Sequence, residues 1–313
     1  MLLLNFEEFD LKSLSDPFFL FRQKKLLSSV NYFLDEFNGK TLFAVKSNPL
    51  RFILESMYFL GLKSFDVASI NEIKVVRNLF SEAEIFYMNP IKSRQSINDS
   101  YFNYGVRHFA LDDVSELKKI LEETNYANDL NLHVRLSIPN NFAEISLSKK
   151  FGIKIEDAPS FLRLVRDKCS KLGVSFHPGS QCMNPDAFKV AIRLAAKAIT
   201  TSNVEINYFN VGGGFPSTYP GLKPPELKEY FSTIHEEFQK LKFSKDVQLL
   251  AEPGRVLVSD SMSLIVRVEM RKENKLYIND GIYGSLQNAG NPNFRYPVRM
   301  IRDAKKNKLS PFS

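Results

Sequence analysis

The chain has 313 residues, 44% hydrophobic and 25% charged, with a net charge of +7. These proportions exclude a disordered, collagen-like or disulfide-scaffold protein, and the length suggests about two domains or one large barrel with an appendage. Only two cysteines, Cys169 and Cys182, point to a reducing, cytoplasmic setting, and no apolar run approaches the ~20 residues of a membrane helix. The start turns acidic at Glu7-Glu8, where a signal peptide would be basic and then apolar. The basic runs Lys149-Lys150 and Lys305-Lys306-Asn307-Lys308 carry no nucleic-acid reading motif and read as solvated faces, so no nucleic-acid partner is expected.

In chain order, short β-rich runs alternate with helical patterns. The predicted strands are Thr41–Lys46, Lys63–Val67, Glu84–Met88, Arg107–Leu111, Asn131–Ser137, Gly173–His177, Ile206–Val211 and Val247–Glu252. Between them, Arg51–Leu60 stops at Gly61, and Ser69-Ile70-Asn71-Glu72 is a capping box opening a helix to about Phe80. Val114–Glu123, Ser160–Leu172 and Asp186–Ile199 carry apolar residues at helical spacing, and Pro224-Pro225 opens a helix to about Leu241. Eight alternations across Thr41–Glu252 predict a closed (β/α)8 TIM barrel, whose usual size is about 200–250 residues.

Polar residues gather at the ends of the predicted strands. The first ends in Lys46, the second carries Asp66, and Asp112-Asp113 follow the fourth. The fifth carries Arg135, the sixth ends in His177, the seventh runs into Gly212-Gly213-Gly214, and the eighth ends in Glu252 before Pro253-Gly254-Arg255. In a barrel these ends meet at the face where such enzymes place their chemistry.

Each group also has a plainer reading. Lys46 is a strand-end lysine reaching solvent or, in a desolvated mouth, a nucleophilic amine with a lowered pKa. The glycine triplet is a flexible turn or, after a seventh barrel strand, an anion nest to which Arg255 adds a cation. Glu252 pairs with Arg255 or with a protonated ring nitrogen; His177 packs in a loop or stacks on a ring. Asp66 is a turn carboxylate or a site group, Glu72 a capping partner, and Arg135 needs a carboxylate nearby if buried. Amine, phosphate nest, acid and imidazole together describe a pyridoxal phosphate site.

The sequence resembles the fold-type III pyridoxal-phosphate decarboxylases of the ornithine decarboxylase group. The matching segments are Phe43-Ala44-Val45-Lys46-Ser47-Asn48-Pro49, Phe65-Asp66-Val67-Ala68-Ser69 with Glu72, Phe176-His177-Pro178-Gly179-Ser180-Gln181-Cys182, Val211-Gly212-Gly213-Gly214-Phe215-Pro216, Ala251-Glu252-Pro253-Gly254-Arg255 and Asn279-Asp280-Gly281-Ile282-Tyr283-Gly284-Ser285. They occur in the family's order. The resemblance implies that Lys46 holds pyridoxal 5′-phosphate as a Schiff base and His177 stacks on its ring. It implies that Ser180, Gly212, Gly213, Gly214 and Arg255 hold its phosphate, with Pro253 and Gly254 beside them. Glu252 would pair with the ring nitrogen, and Asp66 and Arg135 would support the amine.

It further implies an alanine-racemase-like barrel over 22–256 and an incomplete C-terminal β-sandwich over 257–313, to which 1–21 contributes. Pro17–Phe21 would be its N-terminal strand, and Val256–Val268 with Lys275–Asn279 the start of its C-terminal sheet. The expected activity is decarboxylation of a basic amino acid, foremost ornithine to putrescine in polyamine biosynthesis, by a homodimer. The family's Gly-Pro-x-Cys-Asp segment would begin about where this chain stops, so a C-terminally truncated chain is expected. Cys169 and Cys182 match no such motif and read as buried thiols. The stretch Leu286–Pro297 has no acid for a substrate's distal ammonium. Two alternatives stay open: a non-catalytic binder like the antizyme inhibitors, and a decarboxylase of diaminopimelate or a carboxylated polyamine.

Overall fold

A computed structural model describes residues 15–139, 143–145, 150–290 and 295–301. The expectations at Glu7-Glu8, Lys149, Lys305–Lys308, part of Leu286–Pro297 and the chain's last residues lie outside the described set. The chain divides into two units. One comprises Lys24–Ser217 and Pro224–Ser259; the other comprises Met1–Gln23, Thr218–Lys223 and Asp260–Ser313.

Eight parallel strands close the barrel of the first unit. With β1 (Phe18–Phe21) assigned to the second unit, they are β2 (Lys40–Ala44), β3 (Ser64–Val67), β4 (Glu84–Tyr87), β5 (His108–Leu111), β6 (Asn131–Arg135), β8 (Lys171–Ser175), β10 (Tyr208–Asn210) and β11 (Gln248–Ala251). They pair in chain order, and closure comes through Leu250↔Lys40 and Ala251↔Thr41. All eight predicted strands are present. The fold is the TIM barrel the alternation predicts.

The helices are α1 (Gln23–Glu36), α2 (Arg51–Phe59), α3 (Ile70–Leu79), α4 (Arg94–Phe102), α5 (Val114–Glu123), α6 (Ala158–Arg166), α7 (Asp186–Ser202) and α8 (Leu227–Lys240). Ser69 caps α3 by accepting from the Glu72 amide, as the capping box predicts. The expected helix Ser160–Leu172 is shorter. Arg166 Nη2 donates to the Cys169 and Ser170 carbonyls, which ends the helix, and Lys171 and Leu172 pair with Asn131 and Leu132 in the barrel. Helix α4 follows no clear apolar period: it buries only Ile97 and Ser100. A small antiparallel pair, β7 (Ala143–Ile145) with β9 (Ser180–Cys182), joins the loop after β6 to the loop after β8.

The core inside the strands includes Leu42, Phe86, Met88, Ala110, Tyr208 and Leu250. Outside them, Phe215 packs against Phe33 at 5.2 Å and Phe188 at 5.1 Å between ring centroids. It thereby pins the chain after the glycine triplet to α1 and α7. At the N-terminal end of the barrel the first residues of several strands form a polar floor. Lys40 Nζ lies 2.6 Å from Glu84, Ser64 donates to Glu84 at 3.0 Å, and His108 Nε2 lies 3.4 Å from Glu84. Burial alone would raise the Glu84 carboxyl, but the His108 and Lys40 bonds hold it at about 2.

His108 Nδ1 in turn meets His133 Nε2 at 3.0 Å. His108 Nε2 also lies 3.1 Å from Asn131 Nδ2, so the first residues of β4, β5 and β6 meet around this one ring. His133 Nδ1 is left bare against Gly173, where any Cβ would fall on that nitrogen.

In the second unit, β1 pairs antiparallel with β12 (Met262–Ile265), and β13 (Val268–Lys272) pairs with β14 (Lys275–Ile278). The sheet is partial, as expected. The expected strand start at Val256 is displaced: Gly254 caps one helical turn, α9 (Arg255–Val258), whose Leu257 and Val258 are buried with the barrel. No described helix is long and apolar enough to cross a membrane.

Candidate active site

The candidate residues sit near the C-terminal ends of the barrel strands or in the segments that follow them, Ser180 in β9 and Arg255 in α9. Beyond Ala44, the last residue of β2, a 3-10 turn Val45–Ser47 carries Lys46. The turn is closed by Ser47 Oγ donating to the Ala44 carbonyl at 2.8 Å, and Ala44 N donates to the Pro253 carbonyl at 3.1 Å. A Cβ on Gly254 would stand 3.0 Å from Ser47 Cβ, so glycine lets the loop after β11 approach the lysine turn. Lys46 Nζ lies 3.5 Å from Asp66 Oδ2. The lysine side chain is 57% exposed at the mouth, whereas that of Asp66, in β3, is 3% exposed.

The expected low-pKa amine is corrected here. The Asp66 carboxylate outweighs burial and, helped by Glu252, raises the Lys46 ammonium above its ordinary value. Lys46 is therefore charged when the mouth holds no other group. Arg135, ending β6, is buried, and burial lowers its pKa against the opposing pull of Glu252, Asp66 and Asp112. Its expected carboxylate neighbours are thus present. Burial, reinforced by Asp66, pushes the Glu252 carboxyl up to about 7. Burial likewise raises Glu72, whose Oε2 accepts from the Ala68 amide at 2.8 Å.

The glycine triplet is tightly packed. Gly212 and Gly214 have φ of +71° and +92°, which favour glycine, and a Cβ on either would strike the carbonyl of Phe176 or Gly179. A Cβ on Gly213 would meet the Glu252 carbonyl at 2.6 Å and His177 Nε2 at 3.1 Å. The flexible-turn reading therefore gives way to a loop wedged between the His177 and Glu252 segments. His177 Nδ1 accepts from the Gly179 amide at 3.0 Å, so the proton of the neutral ring is on Nε2. Burial, then Arg135 and Lys46, hold this imidazole well below its ordinary pKa. Arg255 Nη2 donates to Ser180 Oγ at 3.4 Å, bringing these two phosphate candidates together.

Two further residues shape the mouth. Asn210, ending β10, bridges Glu252 Oε1 at 2.7 Å and the Gly212 amide at 2.8 Å. Its signal was a lone polar residue in the run Tyr208-Phe209-Asn210-Val211. Gln181, buried and with φ of 55°, accepts from Ser217 N at 3.1 Å and donates to the Ser217 carbonyl, fastening the exit of the glycine loop. No local pattern marks it. Asp113 caps α5 through the Ser115 amide, and Asp112 accepts from the Gly152 amide at 2.6 Å. Cys182 is buried and Cys169 half-buried; burial pushes both thiols up to about 11, so neither supplies a thiolate.

Residues 23–259 match the family described as pyridoxal-dependent decarboxylase, pyridoxal binding domain. The lysine/ornithine decarboxylase of Selenomonas ruminantium is 29% identical over 273 residues, covering 84% of this chain and 68% of its own length. Antizyme inhibitor 2 of Xenopus laevis is 30% identical over 276 residues, covering 79% of this chain and 57% of its own. The crystal structure of lysine/ornithine decarboxylase complexed with cadaverine from Vibrio vulnificus superposes with a TM-score of 0.81 at 25% identity, over 94% of this chain and 79% of that one. The chain thus spans between about half and two thirds of the length of these two curated relatives.

Proposed function

The chain belongs to the pyridoxal-dependent decarboxylases, and we propose on that premise that its barrel mouth serves the decarboxylation of a basic amino acid, with ornithine the substrate favoured. One observation carries the reading. An amine, a buried acid with a pKa of about 7, and a glycine loop beside a cation converge on one mouth from β2, β11, β10 and α9.

That donor set fits pyridoxal 5′-phosphate. Lys46 would hold its aldehyde carbon, and Glu252 would face its ring nitrogen. His177 would lie against the ring. Ser180, the amides of Gly212, Gly213 and Gly214, and Arg255 would hold the phosphate, with Pro253 and Gly254 keeping that wall close to Lys46. When bound, the group supplies an electron sink for the carbanion left by carbon dioxide loss.

The protein's own part is protonic and electrostatic. Asp66 Oδ2, 3.5 Å from Lys46 Nζ, keeps the proton on that amine. Glu252, at about 7, can hold or release a proton near neutral pH, so it matches a ring nitrogen of similar basicity. Arg135 balances the two buried carboxylates, and neutral His177 adds no charge beside it. A homodimer belongs to the same reading, supported by apolar side chains exposed on β13 and β14, Val268, Met270, Leu276 and Tyr277. So does a cytoplasmic location, supported by two unpaired thiols.

The test is an absorbance titration of the chain with pyridoxal phosphate, followed by borohydride reduction and peptide mapping. The expected adduct is on Lys46, absent in Lys46→Ala, and carbon dioxide release is then compared for ornithine, lysine and arginine. An adduct on another lysine would overturn the assignment. A non-catalytic binder is the second reading, favoured by the similarity to antizyme inhibitor 2; it predicts a folded chain that gives no adduct.

A further inference from the structure

Asn210 is fully buried and makes two side-chain contacts of opposite demand. Gly212 N, 2.8 Å from Oδ1, can only donate, so the amide oxygen must face it. The amide nitrogen therefore faces Glu252 Oε1 at 2.7 Å, and it too can only donate. Glu252 Oε1 is compelled to accept. The two segments are already fastened through the backbone, where Glu252 N donates to the Gly212 carbonyl at 2.8 Å. The side-chain bridge thus adds polarity rather than attachment.

We infer that Asn210 is a positioning residue that, oriented by the Gly212 amide, confines any proton on Glu252 to Oε2 and biases this carboxyl toward its ionised form. The same side chain then links the acid proposed to face the ring nitrogen with the loop proposed to hold the phosphate, a consequence that rests on the reading above. The charged groups facing Glu252 are Asp66 from β3, Arg135 from β6 and Lys46 from the turn after β2. Burial and Asp66 favour the protonated acid; Arg135, Lys46 and the Asn210 donor oppose them.

Near-isosteric substitutions separate polarity from packing. In Asn210→Asp the Gly212 amide still finds an acceptor, but two carboxyl oxygens then face each other at hydrogen-bond distance and must share a proton. In Asn210→Leu the donor is lost without added charge. The experiment is a carboxyl carbon-13 NMR titration of the full chain without cofactor, with Glu252 assigned by the signal lost in Glu252→Gln. The expected wild-type midpoint is about 7. The midpoint should rise in Asn210→Leu. In Asn210→Asp it should rise further, by at least one pH unit, a tenfold change in proton affinity.

Midpoints that stay at the wild-type value in both variants would overturn the inference, because a purely structural role changes stability and not this titration. A measurement on the wild type needs no variant: the Asn210 side-chain amide proton should shift across the Glu252 midpoint, and an amide blind to it would also overturn the inference. Neither titration contains pyridoxal phosphate. A wild-type chain that takes no cofactor would defeat the proposed function and leave the Asn210 result standing.

Discussion

Gly213→Ala tests whether the glycine loop is a fitted wall or slack chain. Gly213 is not among the positive-φ glycines, so its backbone accepts alanine and the perturbation is steric alone. The added Cβ would stand 2.6 Å from the Glu252 carbonyl oxygen and 3.1 Å from His177 Nε2. Relaxed carbon–oxygen contacts begin at about 3.3 Å, so the two strand ends must part by roughly 0.7 Å. Overpacking of this kind costs about 1–3 kcal/mol. At ~2–4 °C per kcal/mol for chains approaching this size, calorimetry should show Tm lower by roughly 2–12 °C. The displaced groups are the two that would contact the cofactor ring, so pyridoxal phosphate affinity should fall about 10- to 100-fold. Gly61→Ala is the control. Gly61 has φ of +99° and nothing within 4 Å, so alanine there should lower Tm through backbone strain and leave cofactor affinity intact. A Gly213→Ala chain that melts and binds like wild type would refute the packing argument.

Glu252→Gln should still bind the cofactor but lower carbon dioxide release roughly 10²-fold or more in the complete enzyme, because a neutral amide cannot stabilise a protonated ring nitrogen; unchanged turnover would count against Glu252. Phe215→Ala should cost about 3–5 kcal/mol by denaturant unfolding, since the ring is buried against Phe33 and Phe188 and anchors the glycine loop. Burial lowers the pKa of both His108 and His133 in the fold. Unfolded histidine takes a proton as pH drops below about 6.5 while the folded rings refuse it, so their stabilisation is complete above that pH and is lost as pH falls, by up to about 1.4 kcal/mol per pH unit for each. Glu252, raised in the fold, contributes with the opposite sign between about 7 and its ordinary value. Urea unfolding between pH 7.5 and 5.5 should therefore be compared with His133→Phe, in which the Glu252 contribution persists and the acid-side slope shrinks; equal slopes would refute the floor's role.

Much of the fold is legible in the sequence because the barrel repeats a local unit. Each predicted strand is a short apolar run, and caps such as Ser69 with Glu72 lie within one turn of the helix they start. The end of α6 was less legible. Leu172 fits a helical period equally well, and only its pairing with Leu132, 40 residues earlier, makes it a strand. Helix α4 buries only Ile97 and Ser100 and packs beside its neighbours α3 and α5.

The same division runs through the site. Strand order alone gathers Lys46, Asp66, Arg135, His177, the glycine triplet and Glu252 at one face, so their residue types and positions are readable along the chain. Their protonation states are not, because a titration depends on what stands within a few ångströms in space. Asp66 raises Lys46 where desolvation alone would have lowered it, and Asn210 meets Glu252 only because β10 and β11 are neighbours in the closed barrel. The His108–His133 pair on the floor is likewise invisible until β5 and β6 lie side by side. The chain by itself determines the barrel and which groups reach its mouth; tertiary structure decides which of them carry charge, because Coulomb attraction and desolvation are properties of neighbours in space.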